Sequence, residues 1–175
     1  MTEAQDCYHC HEPLGHLPVA ADFSGKTEWF CCQGCASAAN WIIEHGLNDY
    51  YRLRSASGGK VDGDALDFSA WDRNEVTKAH CHPCPEGMQI TLITDGMHCA
   101  ACAWLIQNAL QTNPAVRVVN ANAITGRIEI RWDATKETLS AICSQLAGLG
   151  YRPYLSMNEA YEKDKRQERN RLLLK

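Results

Sequence analysis

Gln89-Ile90-Thr91-Leu92-Ile93, followed by Gly96-Met97-His98-Cys99-Ala100-Ala101-Cys102, is the stretch whose reading decides the fold. The first five residues alternate apolar and polar as a strand, the glycine opens a loop, and Ala103 to Gln111 has helical periodicity. Asn113-Pro114 stops that helix, because proline lacks the N–H a further turn needs. Downstream, Val116 to Asn122 predicts a second strand, Thr125-Gly126 a hairpin turn, and Arg127 to Trp132 a cleanly alternating third strand. Lys136 to Leu149 then places Leu139, Ile142, Cys143 and Leu146 on one helical face, stops at Gly150, and yields to Tyr151 to Leu155 as a last strand. The order βαββαβ predicts an α+β, ferredoxin-like domain over residues 88–156, with both helices on one face of an antiparallel sheet.

Working outward, residues 55–87 read as a linker. Ser55-Ala56-Ser57-Gly58-Gly59 offers nothing to bury, Phe68 to Lys78 allows a short helix around Trp71, and two prolines in His80-Cys81-His82-Pro83-Cys84-Pro85 are expected to break any regular element. Residues 1–54 form a separate cysteine-rich module. Residues 157–175 read as a charged helix, with Glu159 and Lys163, and Glu162 and Arg166, at supportive i,i+4 spacing. It runs into Leu172-Leu173-Leu174-Lys175, which is expected to lead into a first membrane-spanning segment.

The chain has 175 residues with 17 basic and 21 acidic side chains, a formal net charge of −4, which argues against nucleic-acid binding by phosphate neutralisation. It lacks the roughly 18 consecutive apolar residues of a membrane helix, and Met1 to Asp6 lacks the basic and then apolar start of a secretory signal, so the 175 residues read as soluble and unexported. Ten cysteines stand out, and in a reducing compartment they read as metal ligands or redox groups.

Cys99 and Cys102 carry the sharpest chemistry. At a strand-to-helix junction two thiols converge on one ion, and the helix N-terminus favours their anions. Two soft thiolates are too few for a closed zinc site and suit Cu(I), in a site expected to be shallow and open; a dithiol redox centre is the competing reading. Met97 is expected to anchor the loop in the core, His98 either to tune the site or to be exposed, and Cys143 to be a small core residue. Trp104, on the polar face with Gln107, Asn108 and Gln111, is either a docking residue or plain surface.

In the first module, Cys7-Tyr8-His9-Cys10 and Cys31-Cys32-Gln33-Gly34-Cys35 predict a treble-clef-like arrangement: a knuckle, a hairpin through Phe23 to Lys26, and a helix from Ala36 to His45. Cys7, Cys10, Cys32 and Cys35 are the expected ligands for zinc or copper, leaving Cys31 to exchange with Cys32 or to stay free. A module of this size has little core, so a metal would supply folding energy. Cys81 and Cys84, with His80 or His82, are either a third ion site or stray linker thiols.

Gly96-Met97-His98-Cys99-Ala100-Ala101-Cys102, together with Gly150-Tyr151, resembles the heavy-metal-associated domain of copper chaperones and copper-transporting P-type ATPases, whose Gly-Met-x-Cys-x-x-Cys motif maps its copper ligands onto Cys99 and Cys102. The aromatic Tyr151 implies the ATPase side of that family. Cys7 to Cys35 and Gly46 to Arg54 resemble the metal-binding domain at the start of the copper-exporting branch linked to maturation of bacterial haem–copper oxidases. The resemblance implies the cytosolic amino-terminal region of a Cu(I) translocase, on the cytoplasmic face of the inner membrane, meeting a cytosolic copper chaperone and the pump's own catalytic domains. The chain itself is not expected to hydrolyse ATP, since the Asp-Lys-Thr-Gly-Thr and Cys-Pro-Cys motifs of such pumps are absent. A free-standing two-domain copper metallochaperone and a thiol–disulfide oxidoreductase are the rivals.

Overall fold

A computed structural model describes residues 6–23, 25–61 and 66–156. The expected charged helix of residues 157–175 and the apolar continuation lie outside the described residues. Among the described residues no helix is long and apolar enough to cross a membrane.

The first half begins with a knuckle at residues 7–11, then a hairpin of β1 (Val19–Phe23) and β2 (Lys26–Phe30), registered from Val19 opposite Phe30 to Phe23 opposite Lys26. Helix α1 (Gln33–Glu44) follows, with Cys32 as its N-cap, so it starts earlier than the sequence pattern suggested. It ends where Gly46 takes φ 71°: the Gly46 N–H bonds to the Ile43 carbonyl at 3.0 Å and the Leu47 N–H to the Ile42 carbonyl at 2.8 Å. That paired closure satisfies the last carbonyls and turns Leu47 inward. A one-turn helix α2 (Asp49–Leu53) then buries Tyr50.

The segment expected to be a linker is largely built. Residues 54–61 bend at Ser55 and Ala56 and have no regular structure, a 3-10 turn covers Ser69–Asp72, α3 spans Asn74–His80, and β3 spans Cys81–Cys84. The expected single helix over Phe68 to Lys78 is thus two short turns, and the proline-rich stretch expected to break structure is a strand. β3 pairs antiparallel with β4 (Gly87–Thr94), from Cys81 opposite Ile90 to Cys84 opposite Gly87. It lies at the sheet's edge, where a proline's missing N–H costs no ladder bond. Asp72 reaches from the 3-10 turn to accept the backbone N–H of Ser140 at 2.9 Å, in the first turn of the helix that opens at Leu139.

The second half follows the predicted order: β4, α4 (Ala100–Gln111), β5 (Val116–Asn122), β6 (Arg127–Trp132), α5 (Leu139–Gly148) and β7 (Pro153–Leu155). β4 is flanked by β6 on one side and by β7 on the other, β5 lies beyond β6, and β3 continues the β7 edge. This is the ferredoxin-like sheet with one added edge strand. Helix α5 closes as α1 does, with Gly150 at φ 94° and the Tyr151 N–H bonded to the Leu146 carbonyl at 3.1 Å.

Two apolar clusters form, and they do not divide where the sequence suggested. Cys7, Cys10, Phe30, Cys35, Ala36, Ala38, Ala39 and Val61 make a small one around the knuckle. Ile42, Leu47 and Tyr50, from the end of α1 onward, instead join the core of the ferredoxin-like half. Packing therefore makes a seam inside α1 rather than at residue 54.

Candidate metal centres

Four sulfurs meet in the first half. The Sγ atoms of Cys7, Cys10, Cys31 and Cys35 all lie within 4.8 Å of one another, with Cys10–Cys31 at 3.6 Å and Cys31–Cys35 at 3.8 Å. Four thiolates held tetrahedrally at the usual Zn–S bond length sit about 3.8 Å apart, so the cluster has the dimensions of a four-sulfur metal cage. The knuckle delivers two of them: the His11 N–H bonds back to the Cys7 carbonyl at 2.9 Å while His11 takes φ 59°, curling Cys7 and Cys10 to one side. Cys31 leaves the end of β2, and Cys35 comes from the first turn of α1.

The clustered sulfurs differ from the expected set at a single position: Cys31, which the sequence left able to exchange with Cys32, stands in the cluster. At the N-cap, with extended φ −158° and ψ 165°, Cys32 turns its sulfur onto its own helix and accepts the Cys35 N–H at 3.5 Å. The thiols of Cys10 and Cys35 donate towards Cys7 and hold it far below the usual thiol range, whereas Cys35 is driven up by its bonds to Cys10 and Cys7. Burial foremost pushes Cys31 up to about 12. The cluster holds negative charge and protons jointly, and a cation binding the four sulfurs displaces the protons that remain.

In the second half Cys99 caps α4 and Cys102 sits in its first turn, with their sulfurs 3.5 Å apart. Burial by itself raises the Cys99 thiol, but N–H groups of Ser55, Cys102 and Ala101 and the Cys102 thiol outweigh it and bring Cys99 to about 7. The pair is not the open site expected. Cys99 is 8% exposed and Cys102 fully buried. Tyr151 is buried beside Cys102, and its hydroxyl donates to that of Tyr50 at 3.4 Å, across from the first half.

Met97 is buried and His98 exposed, so of the two open readings of His98 the structure shows the exposed one. Cys143 is buried on α5 and pushed by burial to about 12. Cys81 faces the core, where burial pushes it to about 11, while Cys84 is half-buried. His80 bonds to the Ser156 carbonyl at 3.2 Å and His82 is exposed; these residues form no multidentate cluster among the described residues. Trp104 is half-buried against the cluster shared by the two halves, not free on the surface.

Residues 6–84 match the family described as "Putative metal-binding domain of cation transport ATPase", and residues 91–152 the heavy-metal-associated domain. Nitrogen fixation protein FixI of Rhizobium leguminosarum is 34% identical over 117 residues, covering 63% of this chain and 15% of that protein. Probable copper-transporting ATPase SynA of Synechococcus is 29% identical over 76 residues, covering 43% and 10%. The chain thus carries a match to a metal-binding domain of cation transport ATPases followed by a match to a heavy-metal-associated domain. Among solved structures, oxidized MerP from Ralstonia metallidurans is 24% identical with TM-score 0.37, covering 39% of this chain and 94% of its own. A copper form of a CopA variant from Bacillus subtilis is 31% identical with TM-score 0.35, covering 39% and 90%. The chain spans less than a sixth of the length of the two curated relatives.

Within the first half, the knuckle is tied to the end of α2 through residues that the sequence did not single out. His9, between ligand-type cysteines, is fully buried, and burial foremost lowers it to about 4; its Nδ1 pairs with the Tyr51 hydroxyl at 2.8 Å. Arg54 donates to the His9 and Tyr8 carbonyls, each at 2.6 Å, and its guanidinium lies 4.9 Å from the Tyr51 ring centre. The signal was there in Cys7-Tyr8-His9-Cys10 and Tyr50-Tyr51-Arg52-Leu53-Arg54, as two aromatic runs each beside a cation or an imidazole, but only the fold makes them neighbours.

Proposed function

We propose that this chain is the copper-receiving amino-terminal region of a copper(I)-exporting P-type ATPase, with Cys99 and Cys102 taking the ion. The observation that carries it is the pair of sulfurs 3.5 Å apart at the N-terminus of α4, one of them with its thiolate favoured at neutral pH. Copper is here the cargo. A donor's thiolate bound to Cu(I) loses one Cu–S bond as Cys99 makes its own, and Cys102 completes the pair as the second donor bond breaks; each incoming thiol releases its proton to solvent. Cys7, Cys10, Cys31 and Cys35 would hold zinc. That ion would supply folding free energy to a half whose apolar cluster is small, and no transfer step needs it.

The cargo's source on this reading is a cytosolic copper chaperone, its receiver is the catalytic part of the same pump, and the site works on the cytoplasmic face of the inner membrane. The resemblance of the first half to the oxidase-linked branch extends the proposal to haem–copper oxidase maturation. The full chain with Cys99 and Cys102 both changed to Ser is expected to lose one equivalent of Cu(I) in competition with a chromophoric chelator. Unchanged stoichiometry overturns the assignment.

A further inference from the structure

The heavy-metal-associated half does not own the cover of its cysteine pair. Residues 54–59, which follow α2, lie across it. The Ser55 backbone lies beside Cys99, and Ala56 packs on the apolar cluster to which the pair belongs. At Gly59 the backbone touches Gly150 so closely that a Cβ there would collide with the Gly150 carbonyl, and a Cβ on Gly96, in the cysteine loop, would stand 3.7 Å from the Gly59 Cα. The same segment is tied at its other side to the knuckle of the four-sulfur cluster. The Gly58 N–H bonds to the His9 carbonyl at 3.3 Å, and Arg54 holds the carbonyls of Tyr8 and His9.

We propose that residues 54–59 are a strap that closes the Cys99–Cys102 pair and that the Cys7–Cys10 knuckle holds in place, so that the state of the four-sulfur site governs access to the pair. The proposal rests on the reading of Cys99 and Cys102 as the receiving pair, and it concerns how that pair is reached. The geometry gives the reason. An ion shared by the Cys7 and Cys10 sulfurs would stiffen the turn that the His11 N–H bond closes, and the carbonyls that anchor the strap belong to the two residues between them. A knuckle that loosens takes those acceptors away, and the strap loses its anchor at Arg54 and Gly58. A donor cysteine must come within bonding distance of the sulfurs, and with Cys102 fully buried and Cys99 only 8% exposed, displacing the strap from beside Cys99 widens the approach to the pair. The absence of a side chain at Gly58 and Gly59 is then a fitting requirement, since a Cβ at Gly58 would crowd the Tyr50 hydroxyl and one at Gly59 would collide with Gly150.

The test is site-resolved alkylation of the full chain, copper-free, reduced and zinc-loaded, with iodoacetamide and mass spectrometry. Gly59→Ala forces the strap off Gly150 without touching a sulfur and should raise the alkylation rates of Cys99 and Cys102 tenfold or more. Arg54→Ala, which cuts the tie instead, should give a rise of the same direction and covers the case in which Gly59→Ala fails to fold. Stripping zinc from the wild-type chain with a chelator should also raise the two rates, and should add little in Gly59→Ala, where the strap is already displaced. Unchanged rates in the folded variants overturn the strap. A rise in the variants with none on chelation overturns its link to the knuckle. Because alkylation is read without copper, failure of the copper assignment shows only in the Cu(I) titration of the serine variants and is distinguishable from failure of the strap.

Discussion

The two cysteine sites are built on opposite principles. The Cys99–Cys102 pair is a local feature of a regular fold: a strand ends, a helix begins, and the first helical turn brings both sulfurs to 3.5 Å. The four-sulfur site draws on two segments about twenty residues apart in sequence, held by a five-residue turn, the end of a two-stranded ribbon and one helix start. The first keeps its shape because Leu92, Ile106, Ile130 and Ile142 are fully buried behind it. The second has around it chiefly alanines, Phe30, Val61 and the cysteines themselves. A core of that size stabilises little, so on the proposed reading a bound ion would hold that half together through the sulfurs.

Metal removal is the largest effect this contrast predicts. Structural zinc in small cysteine sites is worth about 10–16 kcal/mol at neutral pH, more than the whole stability of a typical small domain. Chelation is therefore expected to abolish the cooperative unfolding of the first half while the ferredoxin-like half keeps its far-ultraviolet circular dichroism and its own melting transition. An unchanged first transition in a metal-free sample would show that the small apolar cluster suffices. It would also make the four sulfurs an incidental cluster.

Next in size is the seam between the halves. Ile42 belongs in sequence to the helix of the first half but is fully buried in the core of the second. Ile42→Ala removes three carbons from that position and should cost about 2–5 kcal/mol. If the seam lies inside α1, thermal unfolding of the second half should shift with it. A loss confined to the first half would restore the boundary at residue 54 that composition suggested.

Asp72 tests the segment between them. It supplies an acceptor to the start of α5 beside the Thr138 cap, whose hydroxyl accepts the Ala141 N–H at 3.3 Å. Asp72→Ala is expected to destabilise the second half by about 1 kcal/mol, at the scale of a lost helix cap, read from chemical denaturation. No change would return residues 66–73 to the role of a passive connection.

The ferredoxin-like order is legible because period two and period 3.6 alternate cleanly from Gln89 to Leu155, and glycines or prolines mark most of the boundaries. The failures have one physical source. Composition describes what a segment can bury, and says nothing of what it can lie against. Ser55 to Gly59 reads as linker because it is small; smallness is what lets its backbone press on Gly150 and Gly96. Pro83 reads as a breaker, yet an edge strand has no use for the N–H it lacks. The expectation of an open copper site fails with the linker, since the cover comes from that segment.

Cys31 and Cys32 give the smallest effect and the sharpest discrimination. Neighbours in sequence have nearly the same reach to Cys7 and Cys10, so spacing cannot choose between them; the helix start does. The residue that caps α1 must turn its side chain back to a backbone N–H, and Cys32 does so, which leaves Cys31 to face the cluster. Serine accepts that N–H better than cysteine, with an oxygen able to sit near 3.0 Å in place of a sulfur at 3.5 Å. Cys32→Ser should therefore leave the stability within about 0.5 kcal/mol of the wild type, or raise it slightly, and keep four sulfur neighbours in the X-ray absorption of the zinc-loaded chain. Cys31→Ser should reduce the sulfur neighbours to three and weaken zinc retention against a chelator. The reverse pattern, with Cys32→Ser costing a sulfur and Cys31→Ser costing none, would return the ligand set to Cys7, Cys10, Cys32 and Cys35 and require α1 to begin without its present cap.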